Sequence, residues 1–458
     1  MPFSLIDKEA SAVPLTVLGK AQIAKWREGA PIRERDWAQA AGFTGEAGKI
    51  ALVPDDKGKL GRVLVGASDS EAAMWAVAGL SETLPEGSYR LDPVPEGADP
   101  SRVALGWALG TYRFTRYHDK PKGKARLGWP KGADRGLVER LAEGIFLARD
   151  LATTPASDMG PEELADAAQK VAKKEGARCK IIVGDKLLEK NYPTIHAVGR
   201  ASTRPPRLVD ITWGDEDAPK VTLVGKGVCF DSGGLDLKPA SGMLNMKKDM
   251  AGAAIMLGLG QAVMQAGLKV RLRVLLPCVE NSVSGNAMRP RDIIKTRNGL
   301  TVEIGNTDAE GRLILCDALA EASDETPEMI VDCATLTGAA RVALGPELPA
   351  LFCNDDRLAN ALLAAGQTED DPMWRLPLYK PYRRMIDSKI ADLNNVSDGP
   401  QGGAITAALY LNEFVDPAVP WAHLDVMAWN QRSRPGRPEG AEAQTLRAVY
   451  THIAERFG

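Results

Sequence analysis

Hydrophobic positions recur along this chain with two periods. Short apolar runs, IALVP at 50–54 and RVLVGA at 62–67, read as strands among helical stretches rich in Gly and Pro. Over 136–152 the apolar residues Leu137, Leu141, Ile145, Phe146 and Leu147 recur at helical spacing. Pro155 cannot continue that helix, so 153–156 should end it. Beyond 160, helix and strand alternate. ELADAAQKVAKKEG reads as a helix and CKIIVG as a strand; RLVDITWG and KVTLVGKG read as strands. Residues 250–267 read as a helix, VRLRVLLPCV as a strand, LILCDALAEASDE as a helix and MIVDCATLTG as a strand. That alternation predicts an α/β protein whose sheet is covered by helices.

A chain of 458 residues exceeds one ordinary core, so two domains are expected. The Gly/Pro-rich patch HDKPKGKARLGWPKGADRG, 118–136, marks a candidate boundary. A formal charge of −3 argues against nucleic acid as the main partner, because phosphate binding favours a basic surface. The start, MPFSLIDKEA, lacks the basic-then-apolar pattern of a secretory signal. The six cysteines are scattered without a CxxC pair and read as buried thiols of a reducing, cytoplasmic compartment. The apolar segment 250–268 has the length of a membrane span, but it holds two Gln and is flanked by Lys247, Lys248 and Asp249, so it reads as a buried core helix.

Two clusters carry candidate chemistry. The first is VGKGVCFDSGGLDLKPASGMLNMKKDM, 224–250; the second is GNTDAEGRL, 305–313. Each sets acids and bases beside glycines just past a predicted strand, where α/β proteins build sites. In an extended stretch Asp308, Glu310 and Arg312 would face one side. Two carboxylates so close repel, and a divalent cation would relieve them. The plainer reading is a polar loop capping the next helix, since acids suit a helix N-terminus. Lys226 and Lys238, set among Asp231 and Asp249, are likewise either solvated charges or part of a site.

There are four histidines, and no HExxH among them, so a metal here would rest on carboxylates. GKG at 225–227 is not a phosphate-binding GxxxxGK[ST] loop, and no GxSxG elbow for a serine hydrolase occurs.

Taken together, NTDAEGRL at 306–313, VGKG, FDSGG and KP within 224–239, and KDM at 248–250 resemble the leucyl aminopeptidase (cytosol aminopeptidase) family. ARDLATTPASDMGP, ATLTGA, WRLPL, SKIADLNN and WAHLD are similar to it too, so the likeness spans roughly 140–450. The resemblance implies a smaller N-terminal α/β domain, 1–150, then a larger catalytic domain, 155–458, with a mixed central sheet flanked by helices. It implies a two-metal aminopeptidase, loaded with zinc or manganese, acting on peptide substrates as a cytoplasmic homohexamer. Asp231 and Glu310 would bridge the two ions, Lys226 and Asp249 would complete one site, and Asp308 the other. Lys238 would polarise the scissile carbonyl, and Arg312 would hold a bicarbonate. Met246, Thr335, Leu336, Gly338 and Met427 would line the pocket for the first side chain. Here the sequence departs from the family: HLDVMAWN, 423–430, is two residues shorter than the usual run, and Met427 replaces small residues. Met427 then either narrows or reshapes that pocket, or the loop packs differently and leaves the pocket unchanged.

Two other readings compete. One is a different carboxylate-based two-metal hydrolase, such as a phosphatase or nuclease. The other is a nucleic-acid-binding regulator, using TYRFTRYHDKPKGKAR at 111–126, whose plainer reading is a solvated linker.

Overall fold

The computed structural model describes residues 2–7, 10–68, 72–119 and 123–458. The chain forms two compact units, Met1–Ala142 with Arg432–Glu439, and Glu143–Gln431 with Gly440–Gly458.

The first unit is built on a six-stranded sheet. Its strands are β1 (Leu5–Ile6), β2 (Val13–Gly19), β3 (Ile50–Pro54), β4 (Leu60–Ala67), β5 (Gly87–Leu91) and β6 (Ala125–Gly128), in the order β1-β6-β5-β2-β4-β3. Only β3 runs antiparallel to its neighbour. The helix Pro100–Gly110 starts cleanly because Pro100 presets its first turn and the Asp99 carboxylate accepts from Ser101 N and Arg102 N. In the basic segment 111–126, Lys120, Pro121 and Lys122 lie outside the described residues. Of the others, Tyr112 is buried, Arg113 pairs with Glu82, and Lys124 lies 3.0 Å from Glu86.

The second unit carries the larger sheet. In chain order its strands are β7 (Arg178–Val183), β8 (Arg207–Trp213), β9 (Lys220–Gly225), β10 (Gly227–Asp231), β11 (Arg271–Asn281), β12 (Ile293–Lys295), β13 (Thr301–Glu303), β14 (Met329–Ala334), β15 (Ala350–Cys353), β16 (Trp374–Arg375), β17 (Leu393–Asn394) and β18 (Trp421–Asp425). The main sheet runs β16-β15-β18-β14-β9-β11-β8-β7, with β10 also on β11; β12, β13 and β17 form a small separate sheet. Strands β18, β14, β9, β11 and β10 are mutually parallel, while β15, β8 and β7 join in antiparallel fashion. The expected α/β architecture, with a larger domain on a mixed sheet flanked by helices, is the one observed.

Two strands end elsewhere than their sequence reads. The run MIVDCATLTG leaves the sheet at Ala334, because the amides of Leu336 and Thr337 and the Thr337 hydroxyl all donate to the buried Asp425 carboxylate. The run VRLRVLLPCV continues to Asn281, where β10 supplies a parallel partner. β9 and β10 together form one interrupted strand. The first pairs with 271–275 of β11 and the second with 278–281, and Lys226 sits at the break.

The helices that matter for the site are α1 (Arg135–Thr153), α2 (Pro161–Lys174), α3 (Ala251–Ala266), α4 (Gly311–Asp324) and α5 (Gly338–Leu344). The apolar segment 250–268 becomes α3, buried on every side from 251 to 264 and packed on β9 and β14. Among the described residues no helix is long and apolar enough to cross a membrane. None of the six cysteines is paired, and five are buried. One polar group in the sheet core is fully matched: Asp332 accepts from Trp421 Nε1 at 2.7 Å and bonds His423 Nδ1 at 2.6 Å across β14 and β18.

α1 crosses α3 where two glycines meet. A Cβ on Gly258 would stand 2.3 Å from the Gly144 carbonyl oxygen, backbone that cannot swing aside. Gly258→Ala should therefore destabilise the second unit by about 1–3 kcal/mol through overpacking. Urea unfolding followed by circular dichroism checks this, and an unchanged midpoint would show that the helices can part freely.

Candidate metal centre

The carboxyl ends of the five parallel strands share one edge of the sheet, the edge where open α/β sheets place their sites. Lys226 follows β9, Asp231 ends β10, Asn281 ends β11, Thr335 follows β14 and Asp425 ends β18. Asp249 belongs to a short helical turn just before α3, and Asp308 and Glu310 belong to the turn that opens α4.

The expectation of an extended 308–312 is not met. Glu310 has helical backbone angles, and α4 begins at Gly311. A turn, not a strand, therefore gathers the acids. Asp231, Asp308 and Glu310 each offer an oxygen within 4.8 Å of the others. Arg312 is the second residue of α4. Its Nη1 donates to Asn395 O at 2.6 Å, and its guanidinium lies 5.9 Å from the Tyr410 ring centre.

Two lysines stand among four acids. Lys226 Nζ lies 2.8 Å from Asp249 Oδ2 and 2.8 Å from Glu310 Oε1. Lys238 Nζ lies 2.7 Å from Asp231 Oδ2 and 2.5 Å from Asp308 Oδ1. Three of these oxygens, Asp249 Oδ2, Asp308 Oδ1 and Glu310 Oε1, are near an ammonium but out of line for a hydrogen bond. The charges show the strain. Burial, and then repulsion from Asp231, push the Asp308 carboxyl up to about 6 and raise Glu310 as well. Burial alone would lower both lysines, but Asp249 and Glu310 outweigh it at Lys226, and Asp231 and Asp308 at Lys238. Both lysines are held charged. Four acids against two cations, with aligned partners missing at three oxygens, are a donor set that fits divalent cations.

Residues with no signal of their own fix this geometry. Asn281 Nδ2 donates to Asp231 Oδ1 at 2.8 Å and to Thr307 O at 3.1 Å. The two motif loops interlock. Asp236 N donates to Thr307 Oγ1, and Thr307 N donates back to Asp236 Oδ2, each at 2.8 Å. Asn281 lies two residues past the apolar run VRLRVLLPCV, and its place at the end of β11 is the signal that marks it.

The residues expected to line a side-chain pocket fall around the same edge. Met246 precedes Asp249 by three positions and is half-buried, as is Met427, two positions past Asp425. Thr335, Leu336 and Gly338 lie on the connection from β14 to α5. The Thr335 hydroxyl donates to Asp249 Oδ1 at 2.6 Å, and Gly338 is exposed.

Comparison with known proteins now bears on this geometry. The model described as "Cytosol aminopeptidase family, catalytic domain" matches residues 146–450, and the M17 aminopeptidase N-terminal domain matches 13–130. The chain belongs to the cytosol aminopeptidase family. Within it, the crystal structure of cytosol aminopeptidase from Coxiella burnetii is similar at 49% identity and a TM-score of 0.95, covering 99% of this chain and 100% of that one. A probable cytosol aminopeptidase of Brucella anthropi is 40% identical over 450 residues, 90% of this chain and 88% of its own. The bottromycin maturation enzyme BotP, in complex with Mn, has 35% identity and a TM-score of 0.88, covering 98% of this chain and 100% of its own. The family makes this chain an aminopeptidase that depends on divalent metal.

The start of α4 leaves no room for a side chain. A Cβ on Gly311 would stand 2.5 Å from Lys226 Cε and 2.6 Å from its Nζ. Gly311→Ala should displace Lys226 and lower kcat/KM by about 10²-fold, the scale of an ångström-size misplacement. Steady-state kinetics beside a thermal melt would separate this from unfolding; near-normal turnover would mean that the Lys226 position is not critical.

Proposed function

We propose that this chain removes the N-terminal residue from peptides with two divalent ions held by Lys226, Asp231, Asp249, Asp308 and Glu310. The observation that carries this reading is the approach of Asp231, Asp308 and Glu310 within 4.8 Å, beside two ammonium groups that each span a pair of carboxylates. Two places where carboxylate pairs already hold positive charge are what a two-ion site needs. On this assignment Asp231 and Glu310 reach both ions, Lys226 and Asp249 complete one position, and Asp308 the other. Bound there, the ions would supply a water acidified to near neutral pH and a Lewis-acid pull on the scissile carbonyl. Zinc and manganese both suit carboxylate oxygens with one amine, and the manganese of BotP supports the latter.

The chain's own groups do the rest. Lys226 must give up its proton to serve as a ligand, since an ammonium has no lone pair. Lys238, released from Asp308, would donate to the carbonyl oxygen as it gains charge. Arg312, whose buried Nε makes no hydrogen bond among the described residues, would hold bicarbonate near the leaving amine for proton transfer. Met246, Thr335, Leu336, Gly338 and Met427 would face the first side chain. Thr335 offers its methyl group there, because its hydroxyl is committed to Asp249.

Assayed with metal restored, the protein should cleave peptides with a free α-amine and spare their N-acetylated counterparts. Exhaustive chelation should abolish that activity, and Asp308→Ala or Glu310→Ala should lower it by several orders of magnitude. Full activity in both variants would remove these acids from the site. The assembly, on the resemblance alone, is a homohexamer acting in the cytoplasm. Light scattering should then give about six times the 49.1 kDa chain mass, and a stable monomer at micromolar concentration would defeat it.

A further inference from the structure

One buried cation beside this centre has no counterpart. Lys248 precedes Asp249 in the same short helical turn and is 6% exposed. Among the described residues its ammonium makes no hydrogen bond and no ion pair. The charged groups that act on it are Asp249, Lys226, Arg341 and Asp425. Both acids face other partners. Asp249 accepts from the Thr335 hydroxyl at Oδ1, and its Oδ2 lies 2.8 Å from the Lys226 ammonium. Asp425 gives Oδ1 to the Leu336 and Thr337 amides and Oδ2 to the Thr337 hydroxyl. Arg341, on α5, is exposed and also makes no side-chain pair among the described residues, so it adds positive charge without taking any up.

The Lys248 stem is buried while its ammonium has no protein partner among the described residues, so that charge is left to solvent or to an anion. The positions around it bear on which anion. The acids are engaged from the side of the 335–337 connection, and the chain beyond that connection is open: at Gly338 a Cβ would meet nothing within 4 Å. Asp249 and Lys226, both members of the carboxylate cluster, are among the charges that act on the Lys248 ammonium, so a group that reaches it also lies near that cluster.

We propose that Lys248 is a specificity-determining residue that pairs with an acidic side chain on the first residue of the peptide, glutamate or aspartate. This rests on the reading of the cluster as the place where the peptide N-terminus is bound. The free carboxylate of an acidic first residue supplies the acceptor that Lys248 lacks; a glutamine of the same shape supplies only a neutral carbonyl. The difference between those two side chains is therefore the direct measure of the pairing.

The test is kcat/KM of the metal-loaded protein on matched peptides that begin with Glu, Gln, Leu or Lys. Glu should exceed Gln by about tenfold, chiefly through KM, as expected for one partly desolvated ion pair. In Lys248→Met that ratio should fall to about one, and in Lys248→Glu it should invert, with Lys-first peptides gaining. A wild-type ratio at or below one overturns the proposal, as does a ratio that Lys248→Met leaves unchanged; either would mean that a water or an inorganic anion fills the gap. The wild-type comparison needs no variant, so misfolding of Lys248→Met leaves the proposal open to refutation. Cleavage of the Leu- and Gln-first peptides reports separately on the aminopeptidase reading. If no free-amine peptide is cut, both readings fall together.

Discussion

Repulsion among four carboxylates governs this structure. Two like charges about 4 Å apart repel by about 4 kcal/mol at an effective dielectric of about 20. A protein whose whole stability is on the order of 5–15 kcal/mol cannot gather four of them without compensation. The chain compensates locally: Lys226 spans Asp249 and Glu310, and Lys238 spans Asp231 and Asp308. Neutral donors fix two further oxygens, Asn281 on Asp231 and Thr335 on Asp249. The repulsion is reduced but not removed: burial first, and then Asp231, keep the Asp308 and Glu310 carboxyls raised. A site kept short of neutrality retains an appetite for cations.

The sheet makes such crowding feasible. Parallel strands deliver their ends to one edge, so Lys226, Asp231, Asn281, Thr335 and Asp425 arrive together though they are far apart in sequence. The break between β9 and β10 adds a further degree of control. It lets Lys226 leave the ladder while Asp231, five residues on, remains anchored to β11. α3, buried on every side from 251 to 264, packs against the same strands.

Much of this was legible in the sequence, and what was not has a physical reason. Strong periodicity gave α1 and α3 to within a residue or two, and the apolar runs gave β4, β7, β8 and β9. Strand ends were the weak point. MIVDCATLTG reads as β throughout, yet the pull of Asp425 on the amides of 336 and 337 ends the strand at Ala334. Such a contact, 88 and 89 residues away in sequence, leaves no local trace. The acids of the second cluster were recognisable as residue types, but not their geometry, because an alternation of two fits an extended chain while the actual turn depends on packing against Lys226 and Thr307. The stretch 432–439, RSRPGRPE, reads as a loop from its Arg, Pro and Gly, but nothing in that composition tells which unit it joins.

The reciprocal bonds between Thr307 and Asp236 couple the two loops. Each residue satisfies the backbone of the other's loop, so losing either side chain orphans an amide in the opposite segment. Segments 231–238 and 305–310 therefore act as one unit in the fold, although about seventy residues of chain separate them.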